Sequence, residues 1–214
     1  ITTRLVGSEM CIRDRSYTAV CTLCGYAAQI RRGRRTLGSY RRIRREYMSI
    51  KFLGEKGLFL LETENTSYQM KIGREGYLRH LYYGKRFAAG DADVNNSVES
   101  AMFSPVPLDC YKNKYDTSPN VILQEFSSFG AGDYRTPCLS ARFHDGAGTV
   151  DLRYESHRIF PGKPKLQGLP AAYFEDDEVK SLEIVLKDRF SELRAVLLYT
   201  CLLYTSPEPT RRVV

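Results

Sequence analysis

The sequence predicts an all-β protein, built as a sandwich of antiparallel sheets. Between residues 50 and 200, hydrophobic residues recur with a period of two, and clusters of Gly, Pro, Asn and Asp interrupt them at short intervals. Tyrosine (15 residues) and phenylalanine (10) are abundant and tryptophan is absent, which suits pleated, half-buried surfaces. Short alternating runs separated by turn residues are typical of β-sandwiches. No stretch of 48–200 has the periodicity and capping residues of a long helix.

The clearest alternation lies in residues 67–73 and 181–188. The run 77–84 follows the first of them after "REG", and 192–200 follows the second after "DRFS" as its predicted hairpin partner. Further strand candidates are 57–63, 120–126, 138–144, 149–154 and 157–160. The region 86–119 is polar, contains several prolines and is too long for a simple connection. Loops of that length are usually functional or disordered.

Charge divides the chain into three parts. Residues 1–47 hold 11 arginines and 3 acidic residues, whereas 48–200 hold 19 basic and 21 acidic residues. The net charge of +7, which for the whole chain would suggest a polyanionic partner, therefore comes from the ends. One interpretation of 1–47 is an arm that binds nucleic acid.

The ends also have an artefactual appearance. The stretches "VGSEMCIRDR" (6–15) and "CLLYTS" (201–206) resemble translated sequencing-adapter read-through. Arginine runs before Met48 suit a purine-rich ribosome-binding site translated as codons. We therefore expect 1–47 to be a non-native leader that is disordered or poorly packed, 48–200 to be the domain, and 201–214 to be an artefact tail. On this expectation the protein has no nucleic-acid partner.

Cysteine usage favours a reducing, cytoplasmic location. Of the six cysteines, only Cys110 and Cys138 lie in 48–200, too few for a disulfide scaffold. Cys21 and Cys24 have the spacing of a zinc or redox pair but lack a second pair of ligands. The sequence contains no run of about 18 apolar residues that would span a membrane.

The remaining residue patterns do not predict a metal or cofactor. His80, His144 and His157 have no metal-ligand spacing, and the acidic run 175–178 lacks the spaced oxygen ligands of a calcium loop. In "HLYYG" (80–84) the aromatic side chains could stack on a sugar, although such a pair is also typical of a strand with one buried and one exposed face.

The motif "GDYRTP" (132–137) is the most specific local signature. Asp133 and Arg135 point the same way in a strand, or bracket a turn that Gly132 allows, and either arrangement permits a charge-assisted pair. The motif is interpreted either as a surface that docks onto another domain or as a turn that holds the fold, with Tyr134 buried.

A second pair has the same spacing. Asp151 and Arg153 in "VDLRY" are separated by two positions, which predicts an ion pair on one face of a sheet.

Five motifs in order resemble the N-terminal domain of glycoside hydrolase family 36 α-galactosidases. They are "GYLRHLYYGKR" (76–86), "MFSPVP" (102–107), "LQEFSSFGAGDYRTP" (123–137), "DLRYESHRIFPGKPKLQGLPAAY" (151–173) and "LEIVLKD" (182–188). The resemblance covers roughly 50–200. Val106 and Ala172 depart from it, since the family often has asparagine and threonine there.

The resemblance implies the first part of a galactose-mutarotase-like β-supersandwich, which the family follows with a (β/α)8 barrel and a C-terminal β-domain. The barrel carries two aspartates for a retaining hydrolysis, which needs carboxyls about 5–5.5 Å apart. A barrel takes ~250 residues, more than the 153 residues of 48–200. No catalytic residue is therefore assigned, and we expect a truncated N-terminal domain that is inactive alone.

In the family, the loop near 86–103 can reach the catalytic pocket of a neighbouring subunit. Glu99 is nearest to the matching position and Ser100 is the alternative, so both are candidate substrate-binding residues.

The resemblance implies a cytoplasmic, homo-oligomeric enzyme that removes terminal α-linked galactose from raffinose or melibiose. In that enzyme this domain supports the barrel, subunit assembly and substrate access. The alternative is a free-standing carbohydrate-binding β-sandwich module; the genomic frame after codon 200 would distinguish them.

Overall fold

The computed structural model describes residues 2–5, 49–63, 65–86, 103–107, 110, 117–164, 179–202 and 208–213. These ranges contain ten strands: β1 Thr2–Leu5, β2 Ser49–Leu53, β3 Leu58–Glu62, β4 Thr66–Ile72, β5 Leu78–Lys85, β6 Leu139–Arg142, β7 Leu152–Pro161, β8 Val179–Asp188, β9 Arg194–Leu202 and β10 Glu208–Val213. Helical structure in these ranges is confined to 3-10 turns, at Gly54–Lys56 and at Cys110. The predicted all-β class is confirmed. Within these ranges, no helix is long and apolar enough to cross a membrane.

Two four-stranded antiparallel sheets form a sandwich. One has the order β2-β3-β4-β5 and the other the order β10-β9-β8-β7. A single cluster of buried apolar side chains draws on both sheets, with Phe59 and Met70 from the first and Leu182, Ile184 and Leu197 from the second, each 0 % exposed. Removing apolar surface from water stabilises a fold by roughly 25 cal/mol per Å². The sandwich is therefore held together by its interior, as the alternation in the sequence predicts.

The period of two is most regular in β8. Leu182, Ile184 and Leu186 are buried in the core, whereas Glu183 and Val185 between them are only half-buried. Successive side chains of a strand point to opposite faces, so one face of β8 lies against the other sheet. This confirms the strand predicted for 181–188.

Strand β9 is buried along most of its length and continues to Leu202. Cys201 is 0 % exposed within the core, and burial raises the pKa of its thiol to about 12. The boundary expected between residues 200 and 201 therefore falls inside a packed strand.

The structure differs from the predicted strands in three places, one of them a strand that was not predicted. Ser49–Leu53 forms β2, paired with β3, although its five residues give too short an alternation to be recognised. Residues 152–154 of one predicted strand and 157–160 of the next belong to a single strand, β7, which has an irregular register between Tyr154 and Ser156. Residues 120–126 are not a strand and pair only through a bridge between Arg79 and Gln124.

Two described strands lie in the end segments. Thr2–Leu5 pairs antiparallel with β6, and Glu208–Val213 pairs antiparallel with β9. The rest of 1–47 lies outside the described residues, so the expectation that this segment lacks a packed core stays a prediction.

Candidate functional site

The "GDYRTP" motif begins in a tight turn. The backbones of Gly130 and Asp133 exchange two hydrogen bonds of 2.9 Å across Ala131 and Gly132, whose φ angles are 49° and 94°. Positive φ at both central residues is the mirror-image turn that glycine favours. A Cβ at Gly132 would lie 3.2 Å from the carbonyl oxygen of Pro105. The turn allowed by Gly132 is therefore present.

Asp133 is the last residue of this turn, and its side chain is buried. Its side chain is 3 % exposed and accepts hydrogen bonds from Arg135 Nε at 2.9 Å, Arg135 Nη2 at 2.7 Å and Gln124 Nε2 at 2.9 Å. Arg135 Nη2 also donates to the carbonyl of Pro119 at 3.0 Å. The bond to Asp133 raises the pKa of Arg135. The predicted charge-assisted pair is confirmed, and it fastens the turn to the segment around Pro119 and Gln124.

Tyr134 is exposed, so the prediction that it is buried is wrong. Its relative exposure is 65 %, and its ring packs edge-on against Phe129 with centroids 5.8 Å apart. Since the Asp133 carboxylate is directed into the protein, the next side chain points outward. The turn therefore presents two aromatic side chains to solvent.

A second polar centre, which the sequence analysis did not single out, surrounds Glu125. Its side chain is 2 % exposed. The carboxylate accepts bonds from Tyr68 Oη at 2.8 Å and Tyr199 Oη at 2.7 Å, and His80 Nδ1 lies 3.1 Å away. Buried carboxylates require such partners, because desolvating an unpaired charge is costly. The signal in the sequence is weak: one acid, next to Gln124, in the otherwise apolar stretch "ILQEF".

An irregularity in β5 helps to build this centre. Gln69 pairs with Tyr82 but Met70 pairs with His80, so Leu81 is an extra residue in β5. A bulge of this kind redirects the side chains on either side of it. His80 and Tyr83 are three positions apart, yet both contact the Tyr68 ring, with centroid distances of 5.1 and 5.5 Å. In a regular strand, residues on one face are an even number of positions apart.

A cavity of about 470 Å³ lies between the Glu125 centre and the Asp133–Arg135 turn. Its lining side chains come from β4, β5 and the segment 117–137, and they are Tyr68, His80, Leu123, Gln124, Glu125, Ser127, Arg135 and Thr136. The structure thus brings together His80 and Arg135, two residues from separate motifs. Glu99 and Ser100 lie outside the described residues.

Asp151 and Arg153 form the predicted ion pair, in the protein interior. Arg153 Nε donates to Asp151 at 2.8 Å and Arg153 Nη2 at 2.9 Å, while the guanidinium lies 3.7 Å from the centre of the Tyr77 ring. Burial and the Asp151 charge raise the pKa of Tyr77 well above its ordinary value. Asp151 is 1 % exposed, so this pair holds β7 to the loop before β5 and is closed to a ligand.

Metal-ligand clusters are absent from the described residues: no three His, Cys, Asp or Glu side chains lie close enough together to hold an ion. His144 is exposed, and His157 packs against Phe52 with ring centroids 4.3 Å apart. The cysteine pair Cys21 and Cys24 and the acidic run 175–178 lie outside the described residues.

The four buried acids of the described ranges all have structural partners. Glu125 and Asp133 are bonded as above, Asp151 binds Arg153, and Asp188 accepts the backbone N–H groups of Asp151 at 2.7 Å and Phe190 at 3.3 Å. A retaining hydrolase needs one carboxyl as nucleophile and one as acid/base. These four acids instead maintain the fold, and the cavity is suited to binding by hydrogen bonds.

Fold and site together define an all-β domain with a polar cavity on its surface. Residues 76–205 match the model of the glycosyl hydrolase family 36 N-terminal domain, and the chain belongs to this family.

Characterised relatives are much longer than the matched region. The chain is 39 % identical over 156 residues to alpha-galactosidase AgaA of Geobacillus stearothermophilus, covering 72 % of this chain and 21 % of the relative. It is 35 % identical to the bifunctional alpha-galactosidase/sucrose kinase AgaSK of Mediterraneibacter gnavus, covering 71 % of this chain and 16 % of the relative. The chain thus spans about a fifth of the length of these curated relatives.

A solved structure has the same fold. The crystal structure of alpha-galactosidase AgaB from Geobacillus stearothermophilus superimposes with a TM-score of 0.70 at 33 % identity, over 78 % of this chain and 22 % of that one.

Proposed function

We propose that the chain forms the N-terminal, non-catalytic domain of an α-galactosidase, which hydrolyses terminal α-linked galactose from galacto-oligosaccharides such as raffinose or melibiose. The observation that carries this proposal is the match of residues 76–205 to the family's N-terminal domain. The relatives from Geobacillus stearothermophilus and Mediterraneibacter gnavus are both named as alpha-galactosidases, which supports the activity. The four buried acids of the described residues are all bonded within the protein, which supports a non-catalytic role for this domain.

Within the enzyme, the domain supports the catalytic barrel and the assembly of subunits. Phe129 and Tyr134 pack against each other beside the Asp133–Arg135 pair and expose 41 % and 65 % of their surface. Exposed apolar groups that lie together mark interaction sites. We propose that this surface contacts the rest of the enzyme, that the enzyme is a cytoplasmic homo-oligomer, and that Glu99 or Ser100 contacts the galactoside in a neighbouring subunit.

The test is a domain exchange. The N-terminal domain of the Geobacillus stearothermophilus relative AgaA is replaced by residues 48–205 of this chain, and release of nitrophenol from nitrophenyl α-galactoside is measured. The proposal expects activity in the chimaera, and none either in the relative without its N-terminal domain or in the present chain alone. A chimaera that melts cooperatively but is inactive would contradict the proposal, as would turnover by the present chain.

The surface formed by Phe129 and Tyr134 can be tested separately by substitution. In the chimaera, Phe129→Ala with Tyr134→Ala is expected to lower the melting temperature and weaken the oligomer seen by sedimentation, because it removes apolar contact area. Tyr83→Ala is the matched control, since Tyr83 is also 44 % exposed but lies on β5. Equal effects of the two changes would contradict the assignment of this surface.

A further inference from the structure

We propose that the cavity between β4, β5 and the segment 117–137 is a binding site for a neutral, hydroxyl-rich small molecule, a sugar or sugar alcohol. This proposal goes beyond the role of the domain in a galactosidase and stands whether or not that role is correct. The cavity is open to solvent, and its volume of about 470 Å³ lies within the range of roughly 300–1,000 Å³ found for small-molecule sites.

The polar groups around the cavity have hydrogen-bonding capacity left over. Gln124 uses its amide N–H groups on Pro119 and Asp133, at 3.0 and 2.9 Å, which leaves its amide oxygen as an acceptor. The Ser127 hydroxyl accepts one bond, from the Cys138 N–H at 3.2 Å, which leaves its own proton to donate.

The cavity therefore presents acceptors and donors side by side. His80 uses Nδ1 on Glu125, so its other ring nitrogen is available, and the Thr136 hydroxyl can both donate and accept. A sugar hydroxyl is itself both donor and acceptor, so it can satisfy such a mixed set. A purely donating ligand, such as an ammonium group, or a purely accepting one, such as phosphate, satisfies only part of it.

Charge around the cavity also favours a neutral ligand. The Arg135 guanidinium is held by the Asp133 carboxylate at 2.7 Å, and the Glu125 carboxylate is covered by two tyrosine hydroxyls and His80. Each formal charge thus has an opposing or bonding partner within the protein. An ionic ligand would have to be desolvated with little compensating attraction.

One wall of the cavity is apolar. Leu123 lines it with 52 % of its surface exposed, and Tyr68 is a second lining residue with an apolar ring. A carbohydrate has C–H faces between its hydroxyls, and these would cover Leu123 while the hydroxyls meet Gln124, Ser127 and Thr136. The geometry points to a ligand that is amphipathic in this way, which an unsubstituted sugar or sugar alcohol is.

The experiment measures binding to the full chain. Galactose, raffinose and sorbitol are titrated by calorimetry and by ligand-observed saturation-transfer NMR, with inorganic phosphate as an ionic probe. We expect saturable binding of at least one neutral probe and none of phosphate. If galactose and raffinose bind but sorbitol does not, the site is specific for a sugar ring. If all three bind, it is a general polyol site. Binding of phosphate alone, or of no probe, would overturn the proposal.

Matched variants locate the site. Ser127→Ala removes a lining hydroxyl, and Ser191→Ala removes a hydroxyl outside the cavity that likewise accepts one backbone N–H, from Leu193 at 3.2 Å. Thr136→Val removes a second, exposed lining hydroxyl. Loss of one hydrogen bond weakens binding about threefold to tenfold. We expect that loss from Ser127→Ala and Thr136→Val and none from Ser191→Ala. Affinities unchanged in both lining variants, each with an unaltered melting curve, would overturn the location.

Discussion

The Glu125 carboxylate accepts a 2.7 Å hydrogen bond from the hydroxyl of Tyr199, a residue 74 positions further along the chain. Tyr199 is 0 % exposed and lies in β9, whereas Glu125 lies in the irregular segment before β6. The same carboxylate binds Tyr68 of the other sheet. One buried charge therefore links both sheets of the sandwich to the segment that carries the cavity and the exposed turn.

Removal of one hydroxyl from this centre should destabilise the fold. Tyr199→Phe keeps the ring but deletes a donor to a charged acceptor, a bond worth about 1.5–3 kcal/mol. We expect the free energy of unfolding in urea to fall by that amount. Tyr83→Phe, which alters a 44 % exposed tyrosine of β5, is the control and should change it by less than about 0.5 kcal/mol. Equal effects would mean that the bond to Glu125 contributes nothing.

The turn of the "GAGDYRTP" stretch depends on glycine at position 130. A Cβ there would lie 2.7 Å from Thr149 Cγ2 and 3.0 Å from the Thr149 Cα, at a φ of +95°. Gly146 has a similar φ of +87° but would meet nothing within 4 Å. Gly146→Ala should cost on the order of 1–3 kcal/mol from backbone strain alone, and Gly130→Ala clearly more. Thermal melts of the two variants measure the difference, and a smaller loss for Gly130→Ala would refute the steric argument.

The buried pair of Asp151 and Arg153 should be sensitive to loss of the acid. Asp151→Ala leaves the Arg153 guanidinium, which is 10 % exposed, without its bidentate partner. Breaking a buried pair in this way costs about 3–5 kcal/mol, so we expect a chain that unfolds at much lower urea concentration. Arg158→Ala disrupts the solvent-exposed pair with Glu183 and should leave the unfolding midpoint nearly unchanged. Similar midpoints in the two variants would contradict the assigned burial.

Stability should fall on mild acidification because of His157. Burial against Phe52 and beside Tyr154 lowers the pKa of His157 below its ordinary value of 6.5. The unfolded chain then binds this proton more readily than the folded one, so the free energy of unfolding falls as the pH drops below about 6.5 towards the folded pKa. Above 6.5 both states are neutral and the contribution is complete.

Urea titrations between pH 5 and 8 check this dependence. His157→Gln should flatten the loss of stability on the acid side, whereas His144→Gln, which changes an exposed histidine, should leave it in place. An unchanged slope in His157→Gln would show that this histidine does not carry the effect.

The sequence by itself determined the fold class and most of the strands. Alternation at Leu182, Ile184 and Leu186 requires a strand with one buried face, whatever lies opposite, because the period of side chains along a strand is two. The spacing of Asp133 and Arg135 likewise determined their pairing, since two residues apart they reach the same side of the chain. The order of the family motifs was also readable without coordinates.

Only the tertiary structure decided what surrounds Glu125 and that the side of the chain that carries Tyr134 faces solvent. The partners of Glu125 are Tyr68, His80 and Tyr199, separated from it by 57, 45 and 74 positions, and no local periodicity reports contacts across such distances. The position of His80 depends further on the extra residue Leu81, which is visible only in the pairing of β4 with β5. Local patterns fix the direction of neighbouring side chains, whereas a buried polar centre is set by which segments the hydrophobic core brings together.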